Sequence, residues 1–416
     1  RGFESRLALF LFYSGNLFTR VSAIFVTGHS YTFSFSREYF TMIQKVSSFL
    51  KKDTVLTIAL ALAVLSMFII PPSAEYLGYL DLHTLILLFG LMTATTGLQN
   101  IGFFRQLGEL LLLRIHSLRQ LEQLLILLCF FSSMLITNDV SLITFVPFAL
   151  ELLRMVNRKD RIVPVVVCQA ANLGSMTTPV GNPQNLYLYS HFELSLDTFI
   201  RSIGPFSLLS LVLLLLITMF TPRETISLDT AGRDTTSDET FPKRCLFCCL
   251  GMFFLCLCTV AGLLPLPILF ICILAIGCLA DPKIFCQVDY SLILTFIGFF
   301  IFIGNLKHIP AVSSLLSSMI TGHEVIVSVL ASQVISNVPA AILLSGFTEK
   351  GVSLLIGTNL GGLGTLIASM ASLISYKYII RSCPEKKGIY FRWFTIANAG
   401  FLAVLMAVYF LVFYSI

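Results

Sequence analysis

The chain has 416 residues, 56% of them hydrophobic and only 12% charged, with a formal net charge of +5 and a mean hydropathy of +0.89. That balance excludes a soluble globular domain and points to an all-α polytopic membrane protein. Its Lys and Arg are scattered through short loops between apolar runs, which argues against nucleic acid as a partner.

Residues 1–41 open on Arg1 and form a mixed aromatic, Ser-rich stretch, read here as a non-native or upstream extension; Met42, followed by "IQKVSSFLKK", reads as a start with a basic cytoplasmic anchor. A helix needs about twenty apolar residues to cross a bilayer. That rule places nine full crossings near 54–71, 82–100, 162–190, 198–220, 245–263, 266–281, 290–306, 350–378 and 393–415. Two further apolar stretches, 120–153 and 324–348, are broken in the middle by polar residues and are expected to be re-entrant hairpins of half-spanning helices. With the N-terminus cytoplasmic, this layout puts nearly all of the Lys and Arg inside and only Arg201, Lys307 and Lys350 outside, as the positive-inside rule requires. Cys129, Cys168, Cys256, Cys258, Cys272 and Cys278 lie within apolar segments as small hydrophobes, so no disulfide framework is implied. Cys245, Cys248 and Cys249 have CxxC spacing but no second ligand pair to close a zinc site.

The chain repeats itself. "LDLHTLILLFG" at 80–90 matches "VDYSLILTFIG" at 288–298, pairing Asp81 with Asp289 and Gly90 with Gly298. "LITND" at 135–139 matches "VISNV" at 334–338, pairing Asn138 with Asn337 and, five residues earlier, Ser133 with Ser332. "NLGSMTT" at 172–178 matches "NLGGLGT" at 359–365, pairing Asn172, Gly174 and Thr178 with Asn359, Gly361 and Thr365. In this layout an odd number of crossings separates the copies, so the repeat is inverted, a feature of secondary transporters.

Four breaks stand out: the hairpin tips at 137–139 and 336–339, and the glycine-rich interruptions at 172–185 and 359–365. Unwound backbone at membrane depth is tolerated only within protein or beside a wet cavity, so the four are expected to converge. Helix ends there offer carbonyls to a cation and amides to an anion, and glycine permits close approach. Asn138 and Asn337 can donate and accept, while Ser133, Thr137, Ser332 and Ser336 add hydroxyl oxygens suited to sodium. Small residues most often serve close helix packing. Their recurrence in the same order in both halves, with paired asparagines, favours a site. Asp139 is the one acidic residue placed deep in a membrane segment and is the candidate to bind or release the coupling ion, its alternative being a helix cap. In "TTPVGNPQNLYLY", Pro179 and Pro183 break the helix, and Asn182, Gln184 and Asn185 supply amides that are costly in lipid; with Thr177 and Thr178 they are expected to line a substrate path. The counterpart "LIASMASL" lacks those amides, so substrate contacts are expected to weigh towards the first half.

On "TND", "SNVP", "NLGSMTTPVGNPQN" and "NLGGLGT", the chain from Met42 onwards resembles the ion transporter superfamily, which includes citrate and dicarboxylate permeases, divalent-anion:sodium symporters, and the arsenite permease and sodium/proton antiporter group. The resemblance implies that Thr137, Asn138 and Asp139 in one tip, and Ser336, Asn337 and Val338 in the other, contact substrate; Pro339 and Thr365 are further substrate candidates beside them. It implies that sodium is held near Ser133, Thr137, Asn138, Asp139 and Gly174, and near Ser332, Ser336, Asn337 and Gly361; Asn172 and Asn359, paired in the repeat, are further ion-binding candidates. The chain departs from the family's Ser-Asn-Thr triplet at Asp139 and Val338, which speaks against a succinate-like substrate and brings the arsenite branch forward. The resemblance further implies a homodimer working as an elevator. Its scaffold parts would be 42–119 and 245–323, its transport parts 120–222 and 324–416, joined by a cytoplasmic linker at 223–244.

The expectation is therefore an inner-membrane secondary carrier for a small anion, coupled to sodium or protons, with no other cofactor. An arsenite carrier or cation/proton antiporter is the alternative. A channel is disfavoured because no pore-lining charge ring repeats. An enzyme is disfavoured because His83, His116, His191, His308 and His323 all sit near interfaces, away from any nucleophile.

Overall fold

The computed structural model describes residues 54–104, 106–107, 115–155, 163–221, 224–225, 242–382 and 387–412. The stretch 1–41, the basic anchor after Met42, Glu109 and most of the 223–244 linker lie outside the described residues. Hydrocarbon offers no partner to a peptide group, so segments this apolar must close their hydrogen bonds within themselves. The described chain does so as 17 α-helices. They are α1 (Thr54–Met67), α2 (Tyr76–Tyr79), α3 (Leu82–Asn100), α4 (Leu118–Ile136), α5 (Asn138–Met155), α6 (Val163–Ser175), α7 (Pro183–His191), α8 (Leu196–Thr218) and α9 (Lys243–Val260). There follow α10 (Leu266–Ala280), α11 (Tyr290–Lys307), α12 (Pro310–Ile320), α13 (Glu324–Ile335), α14 (Asn337–Ser345), α15 (Gly351–Gly361), α16 (Met370–Ser382) and α17 (Lys387–Val412).

Local chemistry sets their ends. Asp81 and Asp289 cap α3 and α11, their carboxylates accepting from Thr84 N and Ser291 N at 3.0 Å each. Their backbones are nearly superposable, with φ −78° in both and ψ 88° and 83°. Ser117 and Ser195 cap α4 and α8 in the same manner. Helix α1 stops at Met67, short of Pro71 and Pro72, and α10 is confined between Pro265 and the Asp281–Pro282 turn.

Among the described residues six helices are long and apolar enough to cross a bilayer: α3, α4, α8, α9, α11 and α17. Of the nine expected crossings, α3, α8, α9, α11 and α17 are thus single full-length helices. The 54–71 and 266–281 crossings are the shorter α1 and α10, and 162–190 and 350–378 are each broken in two, as α6/α7 and α15/α16. Helix α12 is a departure from the expected loop. Pro310 starts it at a position where the missing N–H costs nothing, and it turns through 112° into α13 at Gly322, whose φ is +83°.

Both polar interruptions form single-residue tips, Thr137 between α4 and α5 and Ser336 between α13 and α14. In the first hairpin the arms are clasped by Ser132 Oγ and Ser141 Oγ at 2.9 Å, with Ser141 Oγ donating to Cys129 O at 3.2 Å. The arms of this hairpin, at 19 and 18 residues, are longer than half-spanning, whereas those of the second have 12 and 9. The extra length of α4 is polar and braced: Arg119 donates to Thr221 O and Met219 O, Gln123 to Thr218 Oγ1, and Thr221 Oγ1 to the buried carboxylate of Glu122.

The helices pair crosswise. Helix α1 packs on α11 from the second half, and α9 packs on α3 from the first. Within each half the first hairpin arm packs on the first piece of the broken helix, α4 on α6 and α13 on α15. Lys307 and Lys350, both expected outside, are brought to the end of the molecule that holds His191: the Lys307 side chain flanks Gly346, and Lys350 shares a cavity of about 490 Å³ with His191–Leu194.

Glycine makes the hairpin–helix contacts possible. A Cβ on Gly174 would strike Phe130 O and lie 2.6 Å from Ser133 Oγ, and one on Gly361 would lie 2.7 Å from Ser332 Oγ. Gly251 on α9 has nothing within 4 Å. Gly174→Ala is therefore expected to cost about 1–3 kcal/mol of stability by overpacking, whereas Gly251→Ala is neutral or stabilising. Thermal unfolding of the purified protein checks this, and equal melting temperatures for the two variants would refute the close approach.

Candidate functional site

The site is built from the two tips and the two broken helices. Thr137 and Ser336 share one strained backbone geometry, φ 72° and ψ 151° against φ 74° and ψ 155°. Non-glycine residues rarely adopt this region, and such strain clusters at functional sites. It lets each hairpin reverse within one residue and start its second arm at an asparagine, Asn138 or Asn337, both buried.

From the first tip, Asn138 Nδ2 donates to Asn172 Oδ1 at 2.6 Å. Asn172, on the first broken helix, donates from Nδ2 to Ser372 Oγ at 3.0 Å, and Ser369 Oγ donates to Asn172 Oδ1 at 3.2 Å. Ser369 and Ser372 belong to the second half. From the second tip, the Asn337 backbone N–H donates to Ala368 O at 3.0 Å. The two tips are therefore tied to consecutive residues, Ala368 and Ser369, of a single unwound segment.

The mirror contact exists as well. Asn359 Nδ2, on the second broken helix, donates to Asn185 Oδ1 of the first at 2.7 Å. The repeat offset for the broken helices is 187 (359 − 172), and it carries Asn185 onto Ser372 (185 + 187) and Asn182 onto Ser369 (182 + 187). Asn172–Ser372 and Asn359–Asn185 are thus the same interaction made twice, each time between halves.

Other expected site residues take local roles. Asn182 Nδ2 donates to Ser175 Oγ at 2.8 Å, and Asn185 Nδ2 faces the carbonyls of Ser175, Met176 and Thr178 at 3.2–3.3 Å, so both amides hold the first break together. Thr178 Oγ1 donates to Met134 O below the first tip, and Thr365 Oγ1 to Gln333 O at 3.2 Å below the second. Thr177 pairs with Ser207 of α8. Ser133 and Ser332 donate to their own helix, to Phe130 O at 2.8 Å and Ser328 O at 2.7 Å, and sit beneath Gly174 and Gly361. Val338 and Pro339 are buried in the first turn of α14, where Pro339 removes one free amide.

Among the site residues expected from the sequence, Asn138 Oδ1, Asn359 Oδ1 and Gln184 Nε2 are buried without a hydrogen-bond partner, as are both amide atoms of Gln169 on α6. Asp139 is half-buried in the first turn of α5, one residue after Asn138. A carboxylate and carboxamide oxygens beside free helix-end amides can bind a small ion and a polar ligand together.

Sequence reasoning missed Ser369, Ser372 and Gln333. The serines were visible in "LIASMASL", but counting only amides hid that a hydroxyl meets the same partner. Gln333 has no polar counterpart in the first half, so a search for paired residues passes over it.

The citrate transporter family (CitMHS) matches residues 40–349 of the chain. Inner membrane protein YbiR of Escherichia coli K12 is 31% identical over 317 residues, covering 75% of this chain and 84% of its own. The uncharacterized transporter MJ0456 of Methanocaldococcus jannaschii is 32% identical over 325 residues, covering 77% and 87%. Over a shorter stretch of 143 residues, 34% of this chain and 30% of its own, the silicon efflux transporter LSI3 of rice is 34% identical.

The cross-half hydrogen bonds have an energetic signature. Double-mutant cycles on Asn172→Ala with Ser372→Ala, and on Asn359→Ala with Asn185→Ala, are expected to show coupling energies of about 0.5–3 kcal/mol in chemical unfolding. Strict additivity in both would mean the contacts carry no energy.

Proposed function

Since the chain belongs to the citrate transporter family and is a membrane transport protein, we propose that it is a secondary active carrier of a small anion, an organic carboxylate such as citrate or a dicarboxylate, coupled to sodium or protons. What carries the reading is the pair of symmetry-matched hydrogen bonds, Asn172–Ser372 and Asn359–Asn185, which tie both breaks into one polar centre inside an apolar protein. Discontinuous helices meeting between two repeats are where secondary transporters hold substrate and coupling ion.

In this reading Thr137, Asn138 and Asp139 act with Ser336 and Asn337 on the substrate. The coupling ion sits among Asn138 Oδ1, the Asp139 carboxylate and the carbonyls near Gly174. The halves form an inverted repeat, with 42–119 and 245–323 as a dimeric scaffold against which 120–222 and 324–416 move as an elevator. The relative from the Escherichia coli inner membrane supports placement in the plasma membrane.

Asp139 favours a second reading. An ionised carboxylate at a tip repels a carboxylate ligand, and with the silicon efflux relative this points to efflux of a neutral hydroxylated species such as arsenite, or to cation/proton antiport.

Counterflow in proteoliposomes tests the carrier: saturable exchange is expected, and uptake that trans substrate leaves unaccelerated would indicate a channel. A thermal-shift panel of citrate, succinate, arsenite and sodium separates the readings, the first expecting stabilisation by citrate with sodium. Asp139→Asn is expected to flatten the pH or sodium dependence of transport. A fully active variant with unchanged dependence removes Asp139 from coupling.

A further inference from the structure

Helix α7 and its repeat counterpart α16 share most of their surroundings. The offset of 187 carries Pro183, where α7 begins, onto Met370, where α16 begins. Each packs on the second hairpin arm of the other half, α7 on α14 and α16 on α5, and on the other half's broken helix, α7 on α15 and α16 on α6. The remaining contact differs: α7 packs on α3, and α16 packs on α17.

The far end of α7 grips three helices of the segments 42–119 and 245–323. Ser190 Oγ and His83 Nδ1, on α3, lie 2.8 Å apart, and Tyr189 Oη donates to Val260 O at the end of α9 at 3.1 Å. The Tyr187 ring lies 5.5 Å from that of Phe300 and 6.2 Å from that of Phe296, both on α11. Close by, a Cβ on Gly346 at the end of α14 would lie 2.9 Å from Ile303 of α11. This is the end that holds His191 and Lys307, the outer one when the basic loops are cytoplasmic.

At the opposite end the corresponding residues face elsewhere. The offset of 187 carries Tyr187, Tyr189 and Ser190 onto Ile374, Tyr376 and Lys377. The Tyr376 ring stacks on Tyr390 of α17 at 6.1 Å, and Lys377 is exposed. The offset of 208 between Asp81 and Asp289 (289 − 81) carries His83 onto Ser291 and pairs Leu88 and Met92 with Phe296 and Phe300. Asp289, which caps α11 through Ser291 N, is exposed as well.

Helices α7 and α16 belong to one body, because Asn185 of α7 is bonded to Asn359 of α15 and Ser372 of α16 to Asn172 of α6. A movement of that body that frees α7 from α3 carries α16 towards α11. In carriers built of inverted repeats, alternating access is this kind of rigid displacement about a fixed site.

We propose that Tyr187, Tyr189 and Ser190 form the latch that closes the outer side, so that the conformation described faces inward, and that α16 supplies the latch of the outward-facing one. There Lys377 docks on Ser291 and the Asp289 carboxylate, and Ile374 on Leu88 and Met92. A short serine meets a long histidine in the first latch and a long lysine meets a short serine in the second, so the two span a similar gap. The assignment rests on the carrier reading given above.

The test is cross-linking in membranes with a short bis-methanethiosulfonate, in the full chain with its eleven cysteines replaced by alanine and chosen pairs introduced. H83C/S190C is expected to cross-link and then to lose citrate counterflow, which a reductant restores. S291C/K377C is expected to cross-link with the same loss. With all four cysteines in one chain, closing either pair is expected to protect the other. Closure of both pairs in one molecule, counterflow that survives the H83C/S190C cross-link, or a failure of S291C/K377C to react each overturns the proposal. Should the cysteine-free chain not fold, p-benzoylphenylalanine in place of Lys377 in the native chain is read instead: photoadducts at the start of α11 are expected, and adducts confined to α17 overturn it. Absence of citrate counterflow in the unmodified chain would defeat the citrate-carrier reading, while exclusion between the two pairs would still decide the latch.

Discussion

A peptide group that leaves its helix inside hydrocarbon has to be partnered by protein, and this single requirement organises the molecule. Each half leaves the helix twice, at a tip and within a broken helix. Within the first half Asn185 answers the carbonyls of Ser175, Met176 and Thr178; within the second Gln333 answers those of Gly361 and Leu363, and Ala368 O receives the Asn337 amide. Side chains then join the halves, Asn172 donating to Ser372 and Asn359 to Asn185. The two breaks are thereby held side by side, which gathers hydrogen-bonding groups where lipid forbids them elsewhere.

The two halves solve the local problems identically where geometry is strict and differently where it is not. Thr137 and Ser336 have the same unusual backbone, Asp81 and Asp289 the same cap, and Gly174 and Gly361 the same approach to a serine. These positions tolerate little else, because a turn within one residue or a helix contact at glycine distance has few chemical solutions. Amide donors to the unwound carbonyls are less constrained. In the first half Asn185 supplies them from the second piece of the broken helix; in the second half Ser372 is too short, and Gln333 supplies them from the hairpin. The two breaks so end with alike backbones and unlike donors.

Much of the architecture was legible in the chain. Apolar runs of spanning length located α3, α8, α9, α11 and α17, polar interruptions located the hairpins, and prolines and glycines located the broken helices. The short helix α12 escaped because eleven residues are too few to cross a bilayer, and α4 proved longer than half-spanning because its polar turn is braced by residues 218–221 a hundred positions away. Of the site, the tips and paired asparagines were readable as repeats, but Gln333 was not, since it matches nothing in the other half.

By itself the sequence determined that this is a helical membrane protein with two related halves and four interruptions, because hydropathy, helix breakers and repeats are local properties. Which side chain answers which carbonyl was decided only by the tertiary structure. Asn185, Ser372 and Gln333 are interchangeable donors on paper, and only the distance from each to an unwound backbone determines which one a break can use.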